Sequence, residues 1–420
     1  MNYDCNVKIV DAIMGAGKTS AAINFINSSD SETHFLYITP YLTEVKRIIE
    51  ACPDKKFKEP KNINGKKIQG IQSLIKKDIN IVSTHALFHR FDKETIDLCR
   101  AHNYTLIMDE VADVIQDYDI KPDDMELLLN DFVDVDPTSN FLYWKKEKKN
   151  YEGEKFKVEK RLCDIQCLAL YGDDISGNKQ IMMWLFPITA FNAFRNIYII
   201  TYMFEAQIQC YYYNFFSLPY SYLYVKGDSP KNYCFTSNKE EMQIAPKDYS
   251  KLIHILDNER MNQIGDRESD LSKSWYIRNK NGAALQVKKN LYNFFARIRK
   301  AKSNDIIWTT FKDYKNILTG KGYSKGFLPL NIRASNEYRT RTSIAYPVNR
   351  YFNTLVKNFF ICNGIDVKEE DYALSEMLQF IWRSAIRDDK EIYLYVPSIR
   401  MRRKLTEWIE ENSKKEEAMT

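Results

Sequence analysis

The sequence predicts an α/β fold with two domains, each built on a parallel sheet flanked by helices. Strand and helix signals alternate through the first 115 residues and return in the second half, a pattern typical of parallel sheets covered on both faces. The 420 residues, 44% hydrophobic and 28% charged, suit a globular protein with more than one core. We place the domains at 1–205 and 206–420, with an insertion in the first domain at about 145–180.

The individual elements are predicted from apolar runs and from the turn residues that end them. Strands are expected at 7–12, 35–39, 79–83, 106–108, 196–201, 306–310 and 392–396. Helices are expected at 19–26, 42–51 and 287–300. The insertion is densely charged and contains two turn signals, so it is either a β-hairpin or a solvated loop.

Composition excludes several classes of protein. The first residues contain neither a basic segment nor an apolar one, so we expect no signal peptide and a cytoplasmic protein. The most apolar stretch, 182–216, is interrupted by Pro187 and Glu205, so we expect no membrane span. Among 8 cysteines only Cys163 and Cys167 are close in sequence, which favours reduced thiols over a zinc site. A net charge of +5 is compatible with nucleic acid as a partner.

The strongest local signal is the run Ala-Ile-Met-Gly-Ala-Gly-Lys-Thr at 12–19, between a predicted strand and a predicted helix. Gly15 and Gly17 allow the tight turn in which backbone N–H groups face phosphate oxygens. Lys18 would reach the β- and γ-phosphates of a nucleotide, and the Thr19 hydroxyl would bind Mg²⁺. The cofactor-binding residues predicted for ATP are Met14, Gly15, Ala16, Gly17, Lys18, Thr19 and Ser20.

Two adjacent acids, Asp109 and Glu110, come directly after the buried strand 106–108. Ligands of an open α/β sheet bind at the carboxyl ends of its strands. Asp109 is therefore the second predicted Mg²⁺ contact besides Thr19, and Glu110 the residue that orients the attacking water. Lys18, Asp109 and Glu110 form the predicted catalytic core.

Together these residues resemble the motifs of superfamily 2 helicases, the DEAD/DEAH-like ATPases, and the second half is similar to DNA helicases of phages and plasmids. The segments similar to motifs I, Ia, II, III, IV and V are, in that order, 12–19, 35–40, 109–112, 199–201, 306–310 and 331–339. Residues 379–387 resemble motif VI and contain Gln379, Arg383 and Arg387 as further catalytic candidates. Trp382 replaces the glycine of that motif and the second arginine comes one residue late, so either arginine is a candidate for the arginine finger.

The resemblance implies two RecA-like P-loop domains that bind ATP and Mg²⁺ and move along or unwind nucleic acid. DNA is favoured over RNA as the polymer, but the sequence leaves both open. The resemblance also implies a role in DNA replication or recombination, with proteins of those processes as partners, in a bacterial or phage-infected cell. The nucleic-acid contacts that it implies are Thr84, His85, Arg90, Arg333, Arg339 and Arg341.

Two other functions remain open from the sequence. One is an ATPase that remodels or packages DNA without unwinding it, like a terminase, although the second half contains no obvious acidic nuclease triad. The other is a nucleotide-binding interaction protein with a degenerate second domain. The intact residues Lys18, Thr19, Asp109 and Glu110 argue against that interpretation, because an inactive ATPase is expected to lose at least one of them.

Overall fold

A computed structural model of the chain describes residues 3–173, 179–242, 247–330 and 337–413. The chain divides into two compact units. The first unit comprises Met1–Ile13, Gly17–Met242 and Asn353–Val367, and the second comprises Met14–Ala16, Gln243–Phe352 and Lys368–Thr420.

The strands within the described residues are, in chain order, β1 (Asn6–Asp11), β2 (Phe35–Thr39), β3 (Ile81–Thr84), β4 (Thr105–Asp109), β5 (Ile115–Asp117), β6 (Val133–Val135), β7 (Leu142–Trp144), β8 (Leu168–Asp173), β9 (Lys179–Leu185), β10 (Asn196–Thr201), β11 (Tyr220–Lys226), β12 (Cys234–Thr236), β13 (Ile253–Ile255), β14 (Ile306–Trp308), β15 (Ser343–Ala345) and β16 (Ile392–Tyr395). The helices are α1 (Lys18–Ser28), α2 (Leu42–Ala51), α3 (Lys67–Ile75), α4 (His85–Phe88), α5 (Lys93–Ala101), α6 (Pro122–Asp131), α7 (Lys157–Asp164), α8 (Ile188–Phe191), α9 (Ile208–Phe215), α10 (Tyr249–Leu252), α11 (Glu259–Asn262), α12 (Lys273–Arg278), α13 (Ala283–Tyr292), α14 (Lys315–Leu318), α15 (Thr354–Cys362), α16 (Glu369–Ile381) and α17 (Ile399–Ser413).

The first unit is organised by a seven-stranded sheet with the order β12-β11-β1-β10-β4-β2-β3. Every neighbouring pair is parallel except β11 and β12. All five residues of β2 are buried, as expected for a strand covered on both faces. Because β1, β10 and β4 are neighbours, their carboxyl ends lie side by side at one edge of the sheet.

An inserted subdomain occupies residues 115–185 of the first unit, a longer segment than the predicted insertion at 145–180. It consists of the antiparallel sheet β5-β9-β8, the hairpin of β6 and β7, and helices α6 and α7. The predicted segment was too short because β5, well before residue 145, is the third strand of this sheet and pairs with β9, with Ile115 opposite Leu185. The paired strands β8 and β9 agree with the hairpin alternative, and their connecting residues 174–178 lie outside the described part of the chain.

The first unit also extends beyond the predicted domain boundary at residue 205. β11 pairs in parallel with β1, with Val7 opposite Tyr220, and thereby covers the edge of β1 that β10 leaves open. Helix α15 belongs to this unit as well, since the Phe359 ring packs on Tyr171 and Phe215 at centroid distances of 5.7 and 5.1 Å. The aromatic stretch after residue 205 shows no clear period of two, which is why sequence patterning did not identify β11.

The second unit contains a four-stranded parallel sheet with the order β13-β16-β15-β14. Its core is aromatic and includes the fully buried Trp308 and Tyr395, packed with residues of α13 such as Leu291. The basic helix predicted at 287–300 is α13 followed by a π-helical turn at Asn293–Ile298. The predicted α/β fold with parallel sheets flanked by helices is confirmed. Among the described residues, no helix is both long and apolar enough to span a membrane.

Candidate functional site

The predicted phosphate loop connects β1 to α1 and has the backbone that its glycines allow. Gly15 has a φ of 86° and Gly17 a φ of 81°, values that residues with a side chain rarely adopt. Gly17 precedes the first turn of α1, and the Ala21 N–H donates to its carbonyl oxygen at 2.9 Å. The loop therefore ends at the N-terminus of an 11-residue helix, where free N–H groups and the helix dipole favour an anion.

Lys18 is folded back onto this loop. Its Nζ donates to the carbonyl oxygen of Ala12 and, at 3.1 Å, to that of Ile13. Burial raises the pKa of both Asp109 and Asp11, and the positive charge of Lys18 partly offsets that rise. The ammonium group is thus placed between the loop and the acidic end of β4, where it can donate to phosphate oxygens.

Asp109 and Glu110 lie at the carboxyl end of β4, as predicted from the strand that precedes them. Glu110 adopts a φ of 66°, and its N–H donates to the Ile200 carbonyl oxygen at 2.9 Å. The hydroxyl of the buried Thr201 donates to Glu110 Oε2 at 3.5 Å. The segment predicted to stand for motif III therefore contacts the predicted water-orienting acid.

Burial and, to a smaller extent, the neighbouring carboxylates of Glu110 and Glu44 raise the pKa of Asp109 to about 7, against the opposing effects of Lys18 and of a hydrogen bond from the Tyr37 hydroxyl. Such a buried carboxylate gains from a nearby cation. Within the described ranges, no three His, Cys, Asp or Glu side chains cluster to hold a metal by themselves. Mg²⁺ typically takes one or two protein oxygens together with phosphates and water, so Thr19 and Asp109 fit a Mg²⁺ bound jointly with a nucleotide.

Replacement of Asp109 by asparagine is expected to stabilise the protein at neutral and higher pH. The raised pKa means that the native state favours the protonated carboxyl, so native stability falls as pH rises from about 4 to about 7 and is constant above that. In Asp109→Asn this loss disappears. Without Mg²⁺ and nucleotide, we expect the free energy of unfolding to rise by up to about 4 kcal/mol at pH 8 and little at pH 4.5.

Urea denaturation of the wild type and Asp109→Asn at both pH values measures this difference. The exposed Asp113 nearby supplies the control variant Asp113→Asn. Equal stability of wild type and Asp109→Asn at pH 8 would show that the buried carboxyl does not cost native stability.

Two supports of the phosphate loop were missed in the sequence. Asp11, the last residue of β1, accepts hydrogen bonds from the N–H groups of Met203 and Phe204, both at 2.8 Å, and so ties the loop to the segment after β10. Tyr233 lies over the loop, since a Cβ atom at Gly17 would come within 2.6 Å of its ring. Asp11 could have been predicted from the sequence, because it is an acid at the end of a buried strand. Tyr233 could not, because it lies more than 200 residues after Gly17 in the sequence and reaches the loop only through strand pairing.

The three predicted nucleic-acid contacts of the first unit fall in two places, with Thr84 and Arg90 in one groove and His85 beside Asp109. Thr84 is the last residue of β3, and Arg90 is exposed just beyond α4. His85 lies at the acidic site, because its Nε2 is 2.9 Å from the carbonyl oxygen of Asp109. The geometry thus gives His85 a position that supports the backbone of Asp109.

The motif VI candidates lie at the end of α16 and in the turn directly after it. Arg383 is only 5% exposed, and its Nε donates to the Gln379 carbonyl oxygen at 3.0 Å. Arg387 is half-buried in the short 3₁₀ turn Ala385–Asp388. Of the two candidates, Arg387 is therefore the more accessible to a ligand.

The arginines predicted to bind nucleic acid in the second unit make contacts within that unit. Arg339 pairs with Asp388, with 3.1 Å between Nε and Oδ2. Arg341 donates from Nη1 to the Ile306 carbonyl oxygen at 2.6 Å and lies over the Tyr338 ring. Both guanidinium groups thus have structural partners. The remaining candidate, Arg333, lies outside the described residues.

Comparison with known proteins finds relatives along most of the chain. The family described as "YonV C-terminal Rossmann-like domain" matches residues 247–409, and "YonV middle domain" matches residues 115–184, nearly the inserted subdomain. The SPbeta prophage-derived protein YonV of Bacillus subtilis (strain 168) is 38% identical over 416 residues, which cover 96% of this chain and 98% of that protein.

A solved structure of a DEAD box protein from the hyperthermophile Methanococcus jannaschii aligns over 98% of this chain and 87% of its own, at 12% identity and a TM-score of 0.25. Similarity at this level bears on neither fold nor function.

Proposed function

The chain belongs to the YonV family, and we propose from its phosphate loop and paired acids that it is a nucleic-acid-dependent ATPase of the helicase or translocase type. ATP and Mg²⁺ are the proposed cofactors, and DNA is the proposed polymer. We further propose that both units are RecA-like, which agrees with the parallel sheet of the first unit and the Rossmann-like sheet of the second.

One observation supports the proposal above all others. The sheet order β1-β10-β4 places the phosphate loop, the Thr201 segment and the Asp109–Glu110 pair at the carboxyl ends of three neighbouring parallel strands. Hydrogen bonds join these segments, from Ala12 N–H to the Thr201 carbonyl oxygen at 3.2 Å and from Thr201 Oγ1 to Glu110. A phosphate cradle beside paired carboxylates is an arrangement suited to phosphoryl transfer to water, because one acid can help to bind the metal ion and the other can orient the water.

Each residue of this edge has a distinct proposed role. The loop N–H groups and the ammonium of Lys18 bind the phosphates and stabilise negative charge on the transferred group. Thr19 and Asp109 would hold Mg²⁺, which when bound neutralises charge on the β- and γ-phosphates. Glu110, held by Thr201, orients the attacking water and accepts its proton. In the second unit, Arg387 is the more accessible candidate for an arginine finger, because Arg383 is buried.

Steady-state ATP hydrolysis tests the proposal. The full-length chain is assayed without nucleic acid and then with single-stranded DNA, duplex DNA and RNA, with Lys18→Ala as the control for contaminating activity. We expect turnover that depends on Lys18 and rises strongly with DNA. Turnover that responds to none of the polymers would contradict the nucleic-acid part of the proposal, and the absence of Lys18-dependent turnover would instead indicate a nucleotide-binding interaction protein.

A further inference from the structure

A basic groove lies within the first unit. One side is formed by residues 62–92 of the main α/β part, and the other by residues 161–187, at the end of the inserted subdomain and directly after it. The volume of the groove is about 790 Å³, within the range of about 300–1,000 Å³ that is typical of ligand sites. The lining side chains that matter for its chemistry are Lys66, Lys67, Thr84, Arg90, Arg161 and Trp184.

The cations of the groove are poorly compensated. Lys66, Arg90 and Arg161 are exposed, and none of them forms an ion pair with a carboxylate in the described part of the chain. Lys67 is the exception, since it pairs with Glu59 at 3.0 Å. Positive charge contributed by two separate parts of the fold converges on one concave surface, which favours an anionic polymer.

The groove has little negative charge to offset these cations. Asp92 is the one carboxylate among its described lining residues. Its Oδ1 is engaged at the start of α5, where it accepts hydrogen bonds from the N–H of Thr95 at 2.9 Å and from the Thr95 hydroxyl at 2.6 Å. This carboxylate therefore serves as a helix cap and does not pair with the arginines.

Trp184 adds an aromatic surface to the basic lining. The residue is half-buried on β9, where pairing with Leu168 and Gln116 fixes its backbone. Its ring meets His89 edge-on at a centroid distance of 6.1 Å. An aromatic ring and several cations that line one groove are the combination with which proteins bind unpaired bases and their phosphates.

We infer that the basic groove binds single-stranded nucleic acid, with phosphates on Lys66, Arg90 and Arg161 and a base stacked on Trp184. A base can stack on this ring only if it is unpaired, so we expect the groove to prefer a single strand to a duplex. Thr84 and Arg90, which the sequence singled out as nucleic-acid contacts, lie in the same groove. The inference rests on the proposed function and extends it, because it assigns part of the polymer's path to the inserted subdomain.

The test measures binding affinity by fluorescence anisotropy, with the whole chain and without nucleotide. The labelled probes are 12-mers of deoxythymidine and of uridine and a duplex of equal length. Arg161→Ala is compared with Lys157→Ala, which removes an exposed cation from the same helix outside the groove. Of these two variants, we expect only Arg161→Ala to weaken binding. We also expect it to make the decrease of log K with log salt less steep by about 0.7, the value for one phosphate of a single strand. Trp184→Ala should weaken binding about 5- to 150-fold, and Trp184→Phe should restore most of it.

Wild-type affinity in Arg161→Ala, Lys66→Ala and Trp184→Ala alike would overturn the inference, as would equal binding of the duplex. If Trp184→Ala does not fold, the exposed Arg161 still decides the question. The outcome of the ATPase assay is independent of this test. Groove-dependent binding without ATP turnover would support the groove and contradict the proposed function. Turnover stimulated by nucleic acid, with unaffected binding in the groove variants, would support the proposed function and contradict the groove.

Discussion

Lys18→Ala is expected to reduce ATP turnover by at least about 10²–10³-fold, the loss typical of removing one preorganised donor to developing charge. The ammonium lies within the phosphate loop, where it donates to carbonyl oxygens of Ala12 and Ile13. Its removal takes away the cation that would contact the transferred phosphoryl group. Because Lys18 is not part of a buried apolar cluster, we expect the fold to be retained, with some loss of stability because Asp109 and Asp11 lose a compensating charge.

The measurement is ATP hydrolysis at saturating nucleic acid, together with thermal unfolding of the same preparation. Lys8→Ala is a matched control, since Lys8 lies on the strand that leads into the loop and donates to Ser221 at 2.9 Å on the surface. If turnover were undiminished in Lys18→Ala, this result would contradict the proposal that the loop binds phosphate.

Glu110→Gln is expected to bind ATP with nearly unchanged affinity and to hydrolyse it about 10²–10⁴-fold more slowly, the range for loss of a general base. Glutamine keeps the shape of the side chain and an oxygen for the Thr201 hydroxyl, which donates to Glu110 at 3.5 Å. It cannot accept a proton from water at neutral pH. The variant should therefore separate nucleotide binding from chemistry.

Binding of a fluorescent ATP analogue and single-turnover hydrolysis measure the two steps separately. Glu50→Gln, on the exposed side of α2, controls for the loss of one negative charge. Normal single-turnover rates in Glu110→Gln would show that another group orients the water. Equal loss of binding and hydrolysis would instead indicate that Glu110 holds the structure of the site.

The sequence predicted the parts of the site that depend on neighbouring residues. The strand predicted at 196–201 has those bounds in the structure, and the acids lie at the end of β4 as expected, because apolar runs and turn residues are local signals. The inserted subdomain and β11 depend on pairing between distant segments such as Ile115 with Leu185. Such pairing leaves no local pattern, so the domain limits were the least accurate part of the sequence analysis.

The contacts of single arginines were also beyond sequence reasoning. Arg339 and Arg341 have the residue type and spacing of nucleic-acid contacts, yet Asp388 and the Ile306 carbonyl oxygen hold them within the second unit. In contrast, Arg161 and Trp184 were not singled out, because only the folded inserted subdomain brings them beside Thr84 and Arg90.

The position of β1 between β10 and β11 has a consequence for synthesis of the protein. The phosphate loop directly follows β1, but β1 has no second neighbour until Lys226 has been made. Helix α15, which is also part of the first unit, is translated still later, at Thr354–Cys362. Contacts this distant in sequence form slowly because closing the intervening chain costs entropy. β1 therefore remains incompletely paired while the later segments are made, and during that time its unpaired backbone edges are exposed to chaperones and proteases.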